Sequence, residues 1–344
     1  MLTQRPTRTA PGWDRQRALE ATLVQVERRY GHGAIWRLDA DQPIPPTPVI
    51  STGSLALDQA LGVGGLPRGR ISEIHGPEAT GKTTLALSVV AQAQQAGGTA
   101  LFVDAEHALD LAYAAAVGVD VDRLVVCQPD SGEHALDVLE VLVRSGALDV
   151  AAIDSVPALV PRAELEGEMG DHHTGAFGLL MAKAMRKLAG PIAKSGTALV
   201  LVNQLRDNPA ILFGNPERVP GGRALKHHAA VRLDLRVRKP LKDGGQVIGS
   251  RVRVRVVKNK LAAPFRAAEL DLLFGQGIDR AGELLDFGLD HGAITRTATG
   301  YRVGSTRLGL DREDARQFLC DDPELAGRLH RRLSSQLPSG GRAA

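Results

Sequence analysis

Arg70-Ile-Ser-Glu-Ile-His-Gly-Pro-Glu-Ala-Thr-Gly-Lys-Thr-Thr84 is the stretch that decides the fold of this chain. Its middle, Gly76 to Thr83, fits the phosphate-loop pattern G-x-x-x-x-G-K-[ST] at every specified position. Arg70–His75 reads as a strand entering the loop, and Thr83–Gln95 reads as a helix leaving it. That context is what separates a phosphate loop from a chance glycine turn. The glycines let successive backbone N–H groups turn inward, at the positive end of the following helix. Lys82 supplies a mobile charge for the β- and γ-phosphates, and the Thr83 hydroxyl can ligate Mg²⁺. The expected nucleotide-binding residues are therefore Gly76, Pro77, Glu78, Ala79, Thr80, Gly81, Lys82, Thr83 and Thr84.

Outward from the loop, apolar runs at Thr99–Val103, Leu124–Cys127, Val150–Ile153 and Ala198–Val202 alternate with helical stretches. Such runs between helices predict an α/β fold whose mostly parallel central sheet is covered on both faces. Ala230–Val237 and Arg251–Val257 alternate charged and apolar residues with period two, so the sheet should end in half-exposed antiparallel strands. The segment 239–249 reads as the turn between them. Beyond about Gly275 the pattern shortens into small helices and a hairpin, a small C-terminal α+β domain. Upstream, residues 13–30 carry a helical stripe of Leu19, Leu23, Val26 and Tyr30, followed by the four prolines of Asp41–Pro48. A helix ahead of a proline linker docks on its own core or on a neighbouring subunit. The expected organisation is 1–48 N-terminal helix and linker, 49–274 core, 275–333 C-terminal domain and 334–344 disordered tail.

The 344 residues, 43% hydrophobic and 24% charged, suit a globular protein. No apolar run reaches the length of a membrane span, and the first residues lack a signal-peptide core, so a cytoplasmic location is expected. Cys127 and Cys320 are too few and too far apart for a disulfide framework or zinc site, and are expected as buried thiols. Arginine outnumbers lysine 33 to 9, and the cations cluster at Arg232–Lys239 and Arg251–Arg255, which suits a polyanionic partner.

Three strand ends complete the chemistry. Val150-Ala-Ala-Ile-Asp154 delivers a carboxylate that can orient Mg²⁺ through its water shell. Leu101-Phe-Val-Asp-Ala-Glu106 delivers a second carboxylate to the carboxyl end of the sheet, where open α/β sheets bind ligands. Val202-Asn-Gln204 places a neutral amide at the same edge, able to distinguish triphosphate from diphosphate.

At these residues the chain resembles the bacterial RecA family. The resemblance rests on Ile50-Ser-Thr-Gly-Ser-Leu55, the phosphate loop, Val103–Asp110, Gln128-Pro-Asp130, Asp154-Ser-Val156 and Glu166–Asp171. It continues through Ala184–Leu188, Asn203–Arg206, Phe213–Glu217, Gly221–Lys226 and Val257–Lys260. It implies a P-loop NTPase core with a RecA-like sheet, and a DNA-dependent ATPase that forms filaments on single-stranded DNA. Such filaments pair with double-stranded DNA, exchange strands, and act on a LexA-type repressor in the DNA-damage response. Carried over residue by residue, Glu106 is similar to the catalytic base, Lys82 and Gln204 to its catalytic partners, and Asp154 to the Mg²⁺-site carboxylate. Asp110 and Tyr113 match adenine contacts, and Lys258 and Lys260 match a pair reaching ATP in the adjacent subunit. DNA contacts are implied at Arg186, Arg206, Phe213, Gly221, Gly222 and Arg223, within or beside loops at about 166–175 and 205–223. Arg253 and Arg255 match a basic pair for a second DNA strand.

The chain also departs from the family. Asp207-Asn208-Pro209 stands where the second loop usually carries basic and apolar residues. Leu179 stands at an arginine position, and His227-His228 at an aromatic pair. A basic rather than acidic segment ends the chain. These departures fit an alternative, a RecA-like accessory paralogue that binds ATP and DNA with little strand exchange of its own. A small-molecule kinase is disfavoured by the lack of an acceptor-binding lid.

Overall fold

The computed structural model describes residues 12–31, 34–35, 46–168, 175–207, 217–218 and 220–338. Two compact units divide the chain at Pro45/Pro46. In the first, α1 (Gly12–Tyr30) carries the expected stripe, with Leu23 and Val26 half-buried and Leu19 and Tyr30 exposed.

The second unit opens with β1 (Val49–Ile50), α2 (Leu55–Leu61) and β2 (Leu66–Pro67), a short strap in which Ser54 caps α2 by accepting from the Leu57 N–H. The phosphate-loop strand and helix are β3 (Ile71–Gly76) and α3 (Lys82–Gln95). Then follow β4 (Ala100–Asp104), α4 (Leu111–Val117), β5 (Val125–Cys127), α5 (Gly132–Ser145) and β6 (Val150–Asp154). After α6 (Arg162–Glu166) and α7 (Ala176–Ser195), β7 (Ala198–Gln204) runs beside β3. The short strands β8 (Arg206–Asp207) and β9 (Glu217–Arg218) pair with each other, and α8 (Gly222–His228) follows. The long hairpin β10 (Val231–Asp243) and β11 (Gln246–Asn259) continues into β12 (Ala267–Leu273) and β13 (Gly277–Ile278).

Among the described residues these strands form one sheet in the order β13-β12-β11-β10-β3-β7-β6-β4-β5. From β10 to β5 it is parallel, and from β10 to β13 antiparallel. The expected α/β architecture is therefore present. Its cause is visible in β7, where Val200 and Val202 join the cluster under α3 while Leu199 and Leu201 join the cluster under α5 and α7. A strand buried on both faces needs apolar side chains at consecutive positions.

Three expectations are corrected. Residues 239–249 are not a loop, because β10 runs to Asp243 and β11 starts at Gln246, leaving Gly244-Gly245 as the turn. Both glycines have positive φ, which a two-residue hairpin turn requires. Neither cysteine is buried: Cys127 is half-buried on the edge strand β5, and Cys320 is exposed. The tail does not begin at residue 334, since Ser334 lies in a helix and Leu337 packs on the C-terminal core.

That core is built by α9 (Arg280–Asp290), the hairpin strands β14 (Thr295–Thr297), β15 (Gly300–Val303) and β16 (Thr306–Gly309), then α10 (Arg312–Asp321) and α11 (Pro323–Ser334). Its interior includes Leu285, Phe287, Leu319, Leu329 and Leu333. Asp279, Asp311 and Asp322 cap the three helices. Glu283 of α9 accepts from Ser54 Oγ and from the Ala56 N–H (3.1 Å), tying this layer to the strap before α2.

Candidate functional site

The carboxyl ends of β3, β4, β6 and β7 surround a cavity of about 510 Å³. The loop after β3 forms its floor because it turns where only glycine fits. Gly81 has φ +81°, and a Cβ there would lie 2.1 Å from Leu272 Cδ1. A Cβ on Gly76 would lie 2.5 Å from the Leu235 carbonyl oxygen. Lys82 is nearly buried and its Nζ donates to the Pro77 carbonyl at 2.6 Å. Burial pulls its ammonium below the usual lysine range, against the attraction of Asp154, Glu78 and Glu106. A buried cation that donates to a carbonyl within a glycine cradle fits a phosphate group.

Thr83 Oγ1 and Asp154 Oδ2 meet at 2.5 Å. Two oxygen donors converging beside the lysine suit Mg²⁺, which prefers few protein oxygens and several waters. Burial pushes the Asp154 carboxyl up to about 6, with nearby Glu106 adding to the rise and Thr83 and Lys82 opposing it.

Opposite, Glu106 Oε1 accepts from Gln204 Nε2 at 3.2 Å and from Ser155 Oγ. β6 and β7 thus fix one carboxylate oxygen at the end of β4. Sequence patterning pairs Glu106 with neither donor, because their meeting depends on the order β7-β6-β4. Behind Gln204, Asn203 is fully buried and donates from Nδ2 to Glu73 Oε1 at 3.0 Å and to the Pro220 carbonyl at 2.9 Å. Glu73, itself fully buried, is also bonded by Arg232.

Tyr113 lines the cavity and shares a 2.7 Å hydrogen bond with Thr84. Phe274 and Gly275, at the end of β12, line the opposite wall, and Phe274 is 63% exposed. Sequence patterning gives no sign of this wall, because β12 reaches the phosphate loop only through the sheet order. Asp110 is not among the lining residues; it caps α4 by accepting from the Tyr113 N–H at 3.0 Å.

Lys258 and Lys260 lie away from this cavity. Lys258 Nζ donates to the carbonyls of Lys226 (2.5 Å) and His227 (3.2 Å), and Lys260 Nζ donates to that of His227 (3.0 Å). These are the end carbonyls of α8, which attract cations. Burial holds His228 below its usual range, and Lys260, His227, Arg186 and Lys258 deepen the effect. Arg186, Lys258 and Lys260 therefore form one cationic face with this helix end.

Arg253 and Arg255 are exposed on β11. Arg253 stands between Arg236 and Glu269, and Arg255 between Asp234 and Ala267. Arg223 is exposed in the first turn of α8, next to Gly221 and Gly222, both at positive φ. Phe213 and the greater part of both expected DNA loops lie outside the described residues, as do the side chains of Arg206 and Arg218. Among the described residues no helix is long and apolar enough to cross a membrane.

Residues 17–279 match the RecA N-terminal domain, and residues 282–337 match the RecA C-terminal domain. Protein RecA of Streptomyces venezuelae is 54% identical over 331 residues, covering 96% of this chain and 87% of that protein. Protein RecA of Frankia casuarinae is 53% identical over 326 residues, covering 95% of this chain and 94% of that protein. Protein RecA of Salinispora arenicola is 52% identical over 330 residues, covering 96% and 94%. With both domain matches in order and identity above half along nearly the whole length, this chain belongs to the RecA family.

Proposed function

We propose that the protein is an ATP-dependent DNA recombinase, which forms filaments on single-stranded DNA and exchanges strands with a homologous duplex. The observation that carries this reading is the convergence of Lys82, Thr83, Asp154, Glu106 and Gln204 on one cavity. A phosphate cradle alone binds nucleotide; a cradle faced by a fixed carboxylate and an amide can also turn it over.

Bound Mg²⁺ would be held by the Thr83 and Asp154 oxygens and would supply neutralisation of phosphate charge. Lys82 then leaves the Pro77 carbonyl for phosphate oxygens. Glu106, held by Ser155 and Gln204, orients water for attack and accepts its proton. Tyr113 and Phe274 offer rings to the base, and Asp110 is assigned to the rim beside it.

Gln204 is the element that links hydrolysis to DNA. It ends β7, and the chain enters the second loop at the next residue. When its amide turns from Glu106 to a γ-phosphate, the start of that loop moves with it. Asn203 holds the loop's far end at Pro220, so both ends respond to the nucleotide. Arg206, Phe213, Gly221, Gly222 and Arg223, with Arg186 nearby, are assigned to the first DNA strand, and Arg253 and Arg255 to the second. Lys258 and Lys260, already on an exposed cationic face, are assigned to ATP held by the adjacent subunit. This makes turnover depend on filament assembly. A cytoplasmic location and a LexA-type partner complete the reading.

The test is ATP turnover with and without single-stranded DNA. Stimulation by DNA that is lost in Glu106→Gln supports the reading; turnover indifferent to DNA overturns it.

A further inference from the structure

From β3 to β11 the central sheet is apolar on one face and charged on the other. Ile74, Leu233, Leu235, Val252, Val254 and Val256 join the cluster under α3. Side chains alternate along a strand, so their neighbours point to the opposite face. Those neighbours are Glu73 and His75 on β3, Arg232, Asp234 and Arg236 on β10, and Arg253 and Arg255 on β11. Strand register sets them in rows. His75 stands between Asn203 of β7 and Asp234 of β10, Asp234 is opposite Arg255, and Arg236 is opposite Arg253.

One carboxylate oxygen is contested in the middle of this face. Asp234 Oδ1 accepts from Arg236 Nε at 3.0 Å, and His75 Nε2 lies 4.0 Å from the same oxygen. His75 is buried, while the Arg236 side chain is 37% exposed. At 4.0 Å a neutral imidazole makes no hydrogen bond to Asp234. A protonated one, in a place nearly free of water, is drawn to the anion. The other charges on this face are already placed. Glu73 is bonded by Arg232 and Asn203, and Arg253 and Arg255 are exposed. Of the helices that cover the face, α7 and α8 keep Arg186, Arg223 and Lys226 exposed.

We propose that His75 is a proton-operated positioning residue, which sets how many cations the sheet offers to a second DNA strand. With His75 neutral, Asp234 holds Arg236. A proton on the imidazole lets Nε2 donate to Oδ1, which offsets the carboxylate charge and releases Arg236 from it. Arg236 then joins Arg253 and Arg255 as a third cation, on the reading above that these two meet the backbone of a second strand. Because His75 directly precedes Gly76, the titrating ring sits at the root of the phosphate loop.

The experiment is duplex DNA binding by the full-length protein, followed by fluorescence anisotropy at pH 6 and pH 8 over a range of salt. In the unaltered protein log K should fall with log salt more steeply at pH 6, by about 0.9 for one added phosphate contact. His75→Gln should show the shallow slope at both pH values, and Asp234→Asn the steep slope at both. The double variant should behave as Asp234→Asn does, because the imidazole acts only through that carboxylate. A residue that merely packs the sheet would not lock the slope in opposite states. The other histidines titrate in every variant, so they cancel when variants are compared at one pH. Binding of MgADP is the folding control and should be kept. If His75→Gln loses it, the slopes of Asp234→Asn still decide. A slope that stays pH-dependent in His75→Gln, or a slope in Asp234→Asn that is shallow at either pH, overturns the role of His75 alone. Duplex binding unchanged when Arg253→Ala and Arg255→Ala are combined overturns the second-strand reading along with it.

Discussion

Glu106 is held from two strands, and its exchange for glutamine keeps the shape while removing the base. Glu106→Gln should retain ATP affinity and lose turnover by roughly 10²–10⁴-fold, read by steady-state hydrolysis beside nucleotide titration. Lys82→Ala should lose binding itself. A different pair of residues governs pH. Burial pushes Asp58 up to about 7, with Glu283 adding to the rise, and burial pushes Glu283 up to about 7. Both folded-state values exceed the unfolded ones, so between about pH 4 and pH 7 the native state binds more protons than the unfolded state. Stability should therefore fall as pH rises through that window and level off above it. Thermal unfolding across pH 5–8 should show this slope, and Glu283→Gln should flatten it. At this scale the phosphate loop was legible in full, because its chemistry is local. Ser155, Phe274 and the bond from Asn203 to Glu73 were not, since each joins residues whose proximity depends on strand order.

Between elements, β7 and the loop it feeds are coupled by Asn203. Removing its amide leaves Glu73 with one donor fewer in a fully buried place, a cost of about 1–3 kcal/mol. Asn203→Ala should thus lower stability. It should also leave ATP affinity near normal while reducing the stimulation of turnover by single-stranded DNA, because the loop's far end is no longer held at Pro220. Equal stimulation in the variant would remove this coupling. Elements read from periodicity were found where the period was clear, as in β3, α3 and β6. The hairpin of β10 and β11 was underestimated because Pro240 and the charges of 239–243 resemble a loop, although cross-strand pairing carries them as strand. Deleting residues 1–40 removes α1, whose Leu19 and Tyr30 are exposed. Light scattering with ATP and DNA should then report smaller assemblies; unchanged size would mean that the stripe serves its own subunit.

For the whole molecule, the order of the elements sets the function. The central sheet gathers Lys82, Thr83, Glu106, Asp154 and Gln204 at the carboxyl ends of its strands, β7 leads directly into the proposed DNA loop, and Arg253 and Arg255, proposed for a second strand, are exposed on β11. DNA binding through such phosphate contacts should weaken steeply with salt, with log K falling by about 0.7 per contact on single strands. Among the described residues the C-terminal arginines Arg328, Arg331 and Arg332 lie on α11, whose other side buries Leu325, Leu329 and Leu333. The most direct test of the account is strand exchange between circular single-stranded DNA and homologous linear duplex, using the purified protein. The account predicts joint molecules that require ATP and homology, and that vanish in Lys82→Ala. DNA-stimulated ATP turnover with no joint molecules would contradict it and leave an accessory, DNA-binding ATPase in its place.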